Sequence, residues 1–307
     1  MSVDALQEKI RKFKNPSMVG LDPSQDVVPA CVLRDAFSRF GETPQGLANA
    51  YLHFCRTILE TLKDTVPAVK IQTACFEVLG SYGVAVMQEL CGVAQEMGYY
   101  ILLDAMRGDV SHIAALYAQA VFGRVPVGEK SFRPYHCDGV TLNGYLGSDA
   151  VKPFLPFCRE DGRNVFLLVK TPNRSSREVQ DLISGDRVVY TAMADLAMRW
   201  SAGLFGKSDY SEIIAVAGAP FPQILRTLRQ KYDRLFLMVP GYGAQGGTAR
   251  NVSEAFDRFG HGAIVSASRS ILGAWQKAGS DGSDWAEQAR QAALKMRDDI
   301  SKYVTVM

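Results

Sequence analysis

The 307-residue chain has no apolar run long enough to span a bilayer; its longest, such as residues 165–169 and 235–239, are strand-sized. Neither sign of charge is in excess. Thirty-four Lys and Arg face 32 Asp and Glu for a net charge of +2, which excludes nucleic-acid binding driven by a broad basic field. None of the six cysteines (Cys31, Cys55, Cys75, Cys91, Cys137, Cys158) forms a C-x-x-C pair, and the four histidines show no H-E-x-x-H spacing. Free thiols in a reducing cytosol and no metal site are therefore expected. Residues 1–15 lack the apolar centre of a secretory signal and read instead as a short amphipathic helix. There is no Pro/Gly/Ser linker, no low-complexity segment, and no G-x-G-x-x-G after the first candidate strand. These absences point to a cytoplasmic protein that binds neither membrane nor nucleic acid.

Hydrophobic residues make up 47% of the chain, enough for a large core. Eight short β-rich runs recur at residues 18–22, 68–72, 100–104, 139–143, 165–170, 213–216, 235–239 and 263–267. They are mostly unbroken rather than alternating, the pattern of strands covered on both faces. Helical patterns fill the gaps: 43–62 with Thr43 as cap and Pro44 at the first position, then 82–96, 110–122, 148–158, 188–204, 220–231, 248–259 and 284–304. Eight βα units predict an α/β fold, a (β/α)8 TIM barrel: one domain over 1–307 with a short N-terminal helix and helical insertions in the βα loops. A doubly wound open sheet is the runner-up. Residues 23–46 and 171–185 are long connections after strands one and five, hence candidate substrate covers; 123–138 is an excursion before a strand.

Polar residues gather at the C-terminal ends of these strands, where a barrel carries its site. Gly241, Gly243, Gly246 and Gly247 follow strand seven and Arg269 follows strand eight, each next to an expected helix start. Backbone N–H groups, helix N-termini and a guanidinium in this place suit a phosphate; the plainer reading is glycines that only make tight turns. Asp104 and Asp109 with Lys70 form a second constellation, suited to proton chemistry or equally to a solvated ion pair.

Taken together, Gly20-Leu21-Asp22-Pro23, Val69-Lys70, Phe76-Glu77, Asp104-Ala105-x-Arg107-Gly108-Asp109, Thr141-x-Asn143-x-Tyr145-Leu146-Gly147, Pro240-Gly241-x-Gly243-Ala244-Gln245-Gly246-Gly247 and Ser268-Arg269 resemble the orotidine 5′-phosphate decarboxylase family, in its longer bacterial form. The resemblance spans residues 17–275. It implies a (β/α)8 barrel, a homodimer with sites at the subunit interface, and no cofactor or metal. The implied ligand is a nucleoside monophosphate of the OMP/UMP kind, and the implied reaction converts orotidine 5′-phosphate to UMP and carbon dioxide in pyrimidine synthesis. In the family a Lys-Asp-Lys-Asp array faces the scissile carboxylate. Its first lysine matches Lys70, its first aspartate Asp104, and its second aspartate, which enters from the partner subunit, Asp109. Asp22 matches the ribose contact, and Gln245 and Arg269 the phosphate contacts. Thr171, Asn173, Gly246 and Ser268 complete the expected substrate-binding set.

Three departures stand out. Met106 occupies the position of the family's middle lysine, the expected proton donor, and a thioether has neither proton nor charge to give. Ile113 stands where a threonine reaches a ribose hydroxyl across the dimer. Pro172 replaces a serine beside the pyrimidine and removes a backbone N–H. Three readings follow: a decarboxylase using another donor, such as a neighbouring lysine or water; a paralogue acting on a different phosphorylated ligand; or a non-catalytic nucleotide-binding protein. His112 is either a replacement donor or a solvent-facing or capping residue, and Trp200, Trp275 and Trp285 read as packing residues.

Overall fold

The computed structural model describes residues 2–307. Eight parallel strands close into a barrel: β1 (Ser17–Leu21), β2 (Ala68–Gln72), β3 (Tyr100–Arg107), β4 (Gly139–Leu142), β5 (Asn164–Lys170), β6 (Ile213–Ala217), β7 (Leu237–Pro240) and β8 (Ala263–Ala267). Consecutive strands pair, and β8 returns to β1 with Ser17 opposite Val265. This is the expected (β/α)8 barrel.

The unbroken apolar runs follow from burial on both faces. Val19, Ile71, Val140, Leu167 and Val265 point outward against the helices, whereas Met18, Tyr100, Phe166, Phe236 and Ile264 fill the lumen. Side chains alternate along a strand, so the inward series on each strand is fixed by parity. Inward residues change character from bottom to top: Ala68 gives way to Lys70 and Gln72, Leu102 to Asp104, and Ile264 to Ser266. The lower lumen is thus a packed core and the upper lumen a polar cavity.

Helix α1 (Ser2–Phe13) closes the bottom of the barrel. Its Val3, Leu6 and Ile10, spaced along one helical face, are fully buried in the lumen cluster. Each such burial is worth about 1.5–3 kcal/mol. Asp4 accepts from the Lys207 and Ser208 N–H groups at 2.9 and 2.8 Å, and the Val3 N–H donates to Glu212 Oε2 at 3.1 Å. Glu212, completely buried, also accepts from Asn164 Nδ2 at 2.5 Å, and Tyr100 donates to Asn164 Oδ1 at 2.6 Å.

Burial pushes the Glu212 carboxyl up to about 7, against the opposing pull of the Val3 and Asn164 donors. An acid whose folded pKa is raised carries no penalty below its unfolded pKa, and the penalty grows as pH rises towards 7. Glu212→Gln is therefore expected to stabilise the fold at pH 8 by about 1–3 kcal/mol, with the gain vanishing below about pH 4.5. Denaturant titrations at the two pH values check this; an equal effect at both would contradict the assignment.

In the outer layer two long segments acquire elements of their own, and two expected helices need correction. Residues 23–46 hold a helix, α2 (Ala30–Phe40), before α3 (Pro44–Leu62), whose Thr43 cap accepts from the Gly46 N–H at 3.1 Å as expected. The excursion at 123–138 contains an antiparallel hairpin, Val125–Val127 with Lys130–Phe132. The helix expected over 148–158 breaks into Ser148–Val151, a 3-10 turn at Lys152–Phe154 and Leu155–Glu160, because Pro153 and Pro156 cannot donate to a continuous ladder. The helix expected over 248–259 is only Ala249–Ser253. The longer of the remaining outer helices are α4 (Gly80–Glu96), α5 (Ser111–Phe122), α6 (Val189–Trp200), α7 (Pro222–Lys231) and α8 (Trp285–Ser301). Trp200 and Trp285 are buried, and Trp275 donates to the Val27 carbonyl at 3.0 Å. All six cysteines are free thiols.

Candidate active site

A cavity of about 500 Å³ opens at the C-terminal ends of the strands. Lys70 lies at its floor, buried between two carboxylates: Nζ is 3.0 Å from Asp22 Oδ1 and 2.9 Å from Asp104 Oδ2. Burial alone would lower the Lys70 pKa, but the two carboxylates outweigh it and hold the ammonium above its ordinary value. Asp104 is fixed on both oxygens, by Gln72 Nε2 at 3.0 Å and Thr141 Oγ1 at 2.8 Å. Parity explains the set. Gln72 lies two residues beyond Lys70 on the inward face of β2, and Thr141 is inward on β4 between the outward Val140 and Leu142. The same alternation applied to the sequence finds both residues. Gly20 is required where it stands, since a Cβ there would collide with the Ser268 hydroxyl beside Asp22.

Met106 sits at the rim of this floor with φ +44°, half exposed, its N–H donating to Thr141 Oγ1 at 2.8 Å. The left-handed backbone is uncommon for a residue with a Cβ and is held by that bond and by the pairing of Arg107 with Leu142. Arg107 turns away to Glu77 at 2.6 Å and lies over the Tyr117 ring. Asp109 does not meet Lys70 within one chain. It is absent from the cavity wall, and its Oδ1 accepts from the Val110 N–H at 2.8 Å. His112, exposed, and Ile113, half-buried, also lie outside the wall.

The loop after β5 forms the next part of the wall. Thr171 is pinned by Gln180: its N–H donates to Gln180 Oε1 at 2.9 Å, and Gln180 Nε2 donates to Thr171 Oγ1 at 2.8 Å. Thr171 Oγ1 in turn donates to Asn173 Oδ1 at 2.7 Å. Pro172 packs closely on Gly218 and Gly241. Lys170 is fully buried, 2.6 Å from Asp181 and over the Phe221 ring, and anchors the loop at its base. Gln180 lines the cavity but gives no sequence signal, because it reaches Thr171 through a loop rather than along a strand.

The opposite wall comes from the loops after β7 and β8. Gly241 and Gly246 take φ of +98° and +89°, which glycine permits without strain. The expectation of a row of free amides is only partly met. The N–H groups of Gly243, Ala244, Gly246 and Gly247 are spent on carbonyls within the loop. The helices that follow Thr248 and Ser268 have five and four residues, too short for a strong dipole. Side chains remain. Gln245 and Arg269 line the cavity, both exposed, and among the described residues Arg269 has no ion-pair or hydrogen-bond partner for its guanidinium.

The sequence profile of the orotidine 5′-phosphate decarboxylase / HUMPS family matches residues 19–280. The chain is 33% identical over 299 residues to the orotidine 5′-phosphate decarboxylase of Rhodopirellula baltica, covering 96% of this chain and 97% of that one. It is also 33% identical over 305 residues to the enzyme of that name from Clostridium perfringens, covering 99% of each. The solved structure of Leishmania donovani OMP decarboxylase superposes with a TM-score of 0.75 at 26% identity, covering 98% of both chains.

Proposed function

Because the chain belongs to the orotidine 5′-phosphate decarboxylase / HUMPS family, we propose that it binds a nucleoside monophosphate of the OMP/UMP kind and converts OMP to UMP and carbon dioxide, slowed by the loss of one charged donor. The observation that carries this reading is the Asp22–Lys70–Asp104 array at one end of a cavity whose other end presents the unpaired Arg269. Arg269 and Gln245 hold the phosphate, with Gly246 and Ser268 beside them; Asp22 meets the ribose; Thr171 and Asn173 face the base.

In the reaction the bond between the ring and the carboxylate breaks, carbon dioxide leaves, and the electron pair stays on the ring carbon until a proton arrives. Asp104, immobilised by three partners, disfavours a carboxylate beside it, and Lys70 offsets the carbanion charge. Lys70 is a poor substitute donor, since its two carboxylates tighten its hold on the proton. Water is then the proton source. A binding role without turnover is the second reading, favoured by Met106 alone. Loss of OMP absorbance with purified protein, set beside UMP-induced thermal stabilisation, separates the two: stabilisation without any turnover supports the second, and absence of both contradicts either.

Arg269→Ala is expected to weaken UMP binding by about 10–100-fold, the worth of a charge-assisted contact, and to leave uridine binding unchanged. Titration calorimetry with both ligands checks it; equal losses for the two would remove Arg269 from the phosphate. A homodimer completes the reading. Leu116, Phe132, Tyr145 and Leu146 are each at least half exposed on the segments that follow β3 and β4, the segments that also carry Asp109 and Ile113. Sedimentation at twice the chain mass is the expected result, and a monomer at micromolar concentration contradicts it. A cytoplasmic setting accords with six free thiols.

A further inference from the structure

Resting on the nucleotide reading above, a count of charges around the cavity says which ligands its inner end accepts. Among the described residues the charged side chains of the wall are Asp22, Lys70, Asp104 and Arg269. They are divided unequally. Among the described residues Arg269, at the rim after β8, has no partner, whereas Lys70 is shared between Asp22, just past β1, and Asp104 on β3, the strands that flank β2. The inner end therefore holds two negative charges and one positive charge. The cation is already within 3.0 Å of both carboxylates, so it has little field left for a third. The side chain beside this array is the uncharged Met106, and Arg107 is turned away to Glu77. The hydrogen-bond donors near Asp104, from Gln72 and Thr141, are spent on Asp104 itself.

We propose that the Asp22–Lys70–Asp104 end of the cavity selects a neutral or hydrogen-bond-donating group over a carboxylate, so that the preferred ligand is a phosphorylated ribonucleoside whose base carries no acid group there. A carboxylate placed beside Asp104 meets like charge without a free cation, and burial deepens the penalty. A hydrogen or an amino group meets no such penalty, and an amino group can donate to Asp104 or Asp22. The phosphate end is indifferent to this choice, because Arg269 sits on the other side of the ligand.

The test is equilibrium binding of four probes to the intact protein: UMP, OMP, 6-amino-UMP and ribose 5-phosphate, with OMP sampled before measurable decarboxylation. UMP is expected to bind at least tenfold more tightly than OMP, and 6-amino-UMP at least as tightly as UMP. Asp104→Asn removes one negative charge at nearly constant shape and is expected to narrow the gap between UMP and OMP severalfold, with ribose 5-phosphate unaffected. OMP binding as tight as UMP, or a gap that Asp104→Asn leaves unchanged, overturns the proposal while leaving the nucleotide reading intact. No preference of any nucleotide over ribose 5-phosphate overturns the nucleotide reading and this proposal together.

Discussion

Replacing Met106 by lysine is expected to raise the rate of OMP decarboxylation by about 10²–10⁴-fold, the usual contribution of a positioned proton donor. Position 106 lines the cavity at the rim above Asp104, so an ammonium on an unbranched side chain there can reach the floor of the site. Methionine and lysine are alike in shape up to the fourth side-chain atom. The φ of +44° that the backbone already tolerates at Met106 therefore asks nothing new of the variant. The added cation also restores charge balance to two carboxylates that now share Lys70. Single-turnover absorbance measurements on both proteins check the result. An unchanged rate would move the defect from proton delivery to substrate placement, at Pro172 and Ile113.

The second large effect concerns stability. Lys70→Met is expected to cost about 3–5 kcal/mol, since it leaves buried Asp104 and partly buried Asp22 facing each other without a cation. Methionine fills nearly the same volume, so lost packing contributes little. The loss is expected to shrink in Lys70→Met/Asp104→Asn, which removes one of the two charges. Urea denaturation of the single and double variants reads this directly; a double variant less stable than the single would mean that Lys70 acts by packing rather than by charge.

Much of the barrel was legible from local pattern. Strands covered on both faces show as unbroken apolar runs, and all eight lie within two residues of expectation, apart from the extension of β3 to Arg107. The Thr43 cap was legible because capping is a matter of a few adjacent residues. Helix α2 was not. It buries only Val32 and Ala36 and starts after Pro29 with no side-chain cap, so no capping residue marks where it begins. The Tyr100–Asn164–Glu212 network under the barrel joins residues 48 and 64 positions apart, and no local pattern records such a contact.

The site divides along the same line. Lys70 and Asp104 are legible together as polar residues near the C-terminal ends of neighbouring strands, and the structure joins them at 2.9 Å. Asp109 was grouped with them by sequence proximity, yet it leaves the cavity because β3 ends at Arg107 and the chain turns into α5. The glycines after β7 suggested free amides, but whether a loop turns its N–H groups outward or inward depends on its three-dimensional path, and four of them turn inward. Gln180 entered only through the fold, by way of its two bonds to Thr171.

The most direct test of the whole account is a crystal structure of the protein with UMP bound. The phosphate is expected on Arg269 and Gln245, the ribose at Asp22, and the ring edge over Lys70 and Asp104 with Met106 beside the carbon that would carry the carboxylate. A nucleotide bound in the reverse direction, or a lysine other than Lys70 in contact with that carbon, would contradict it.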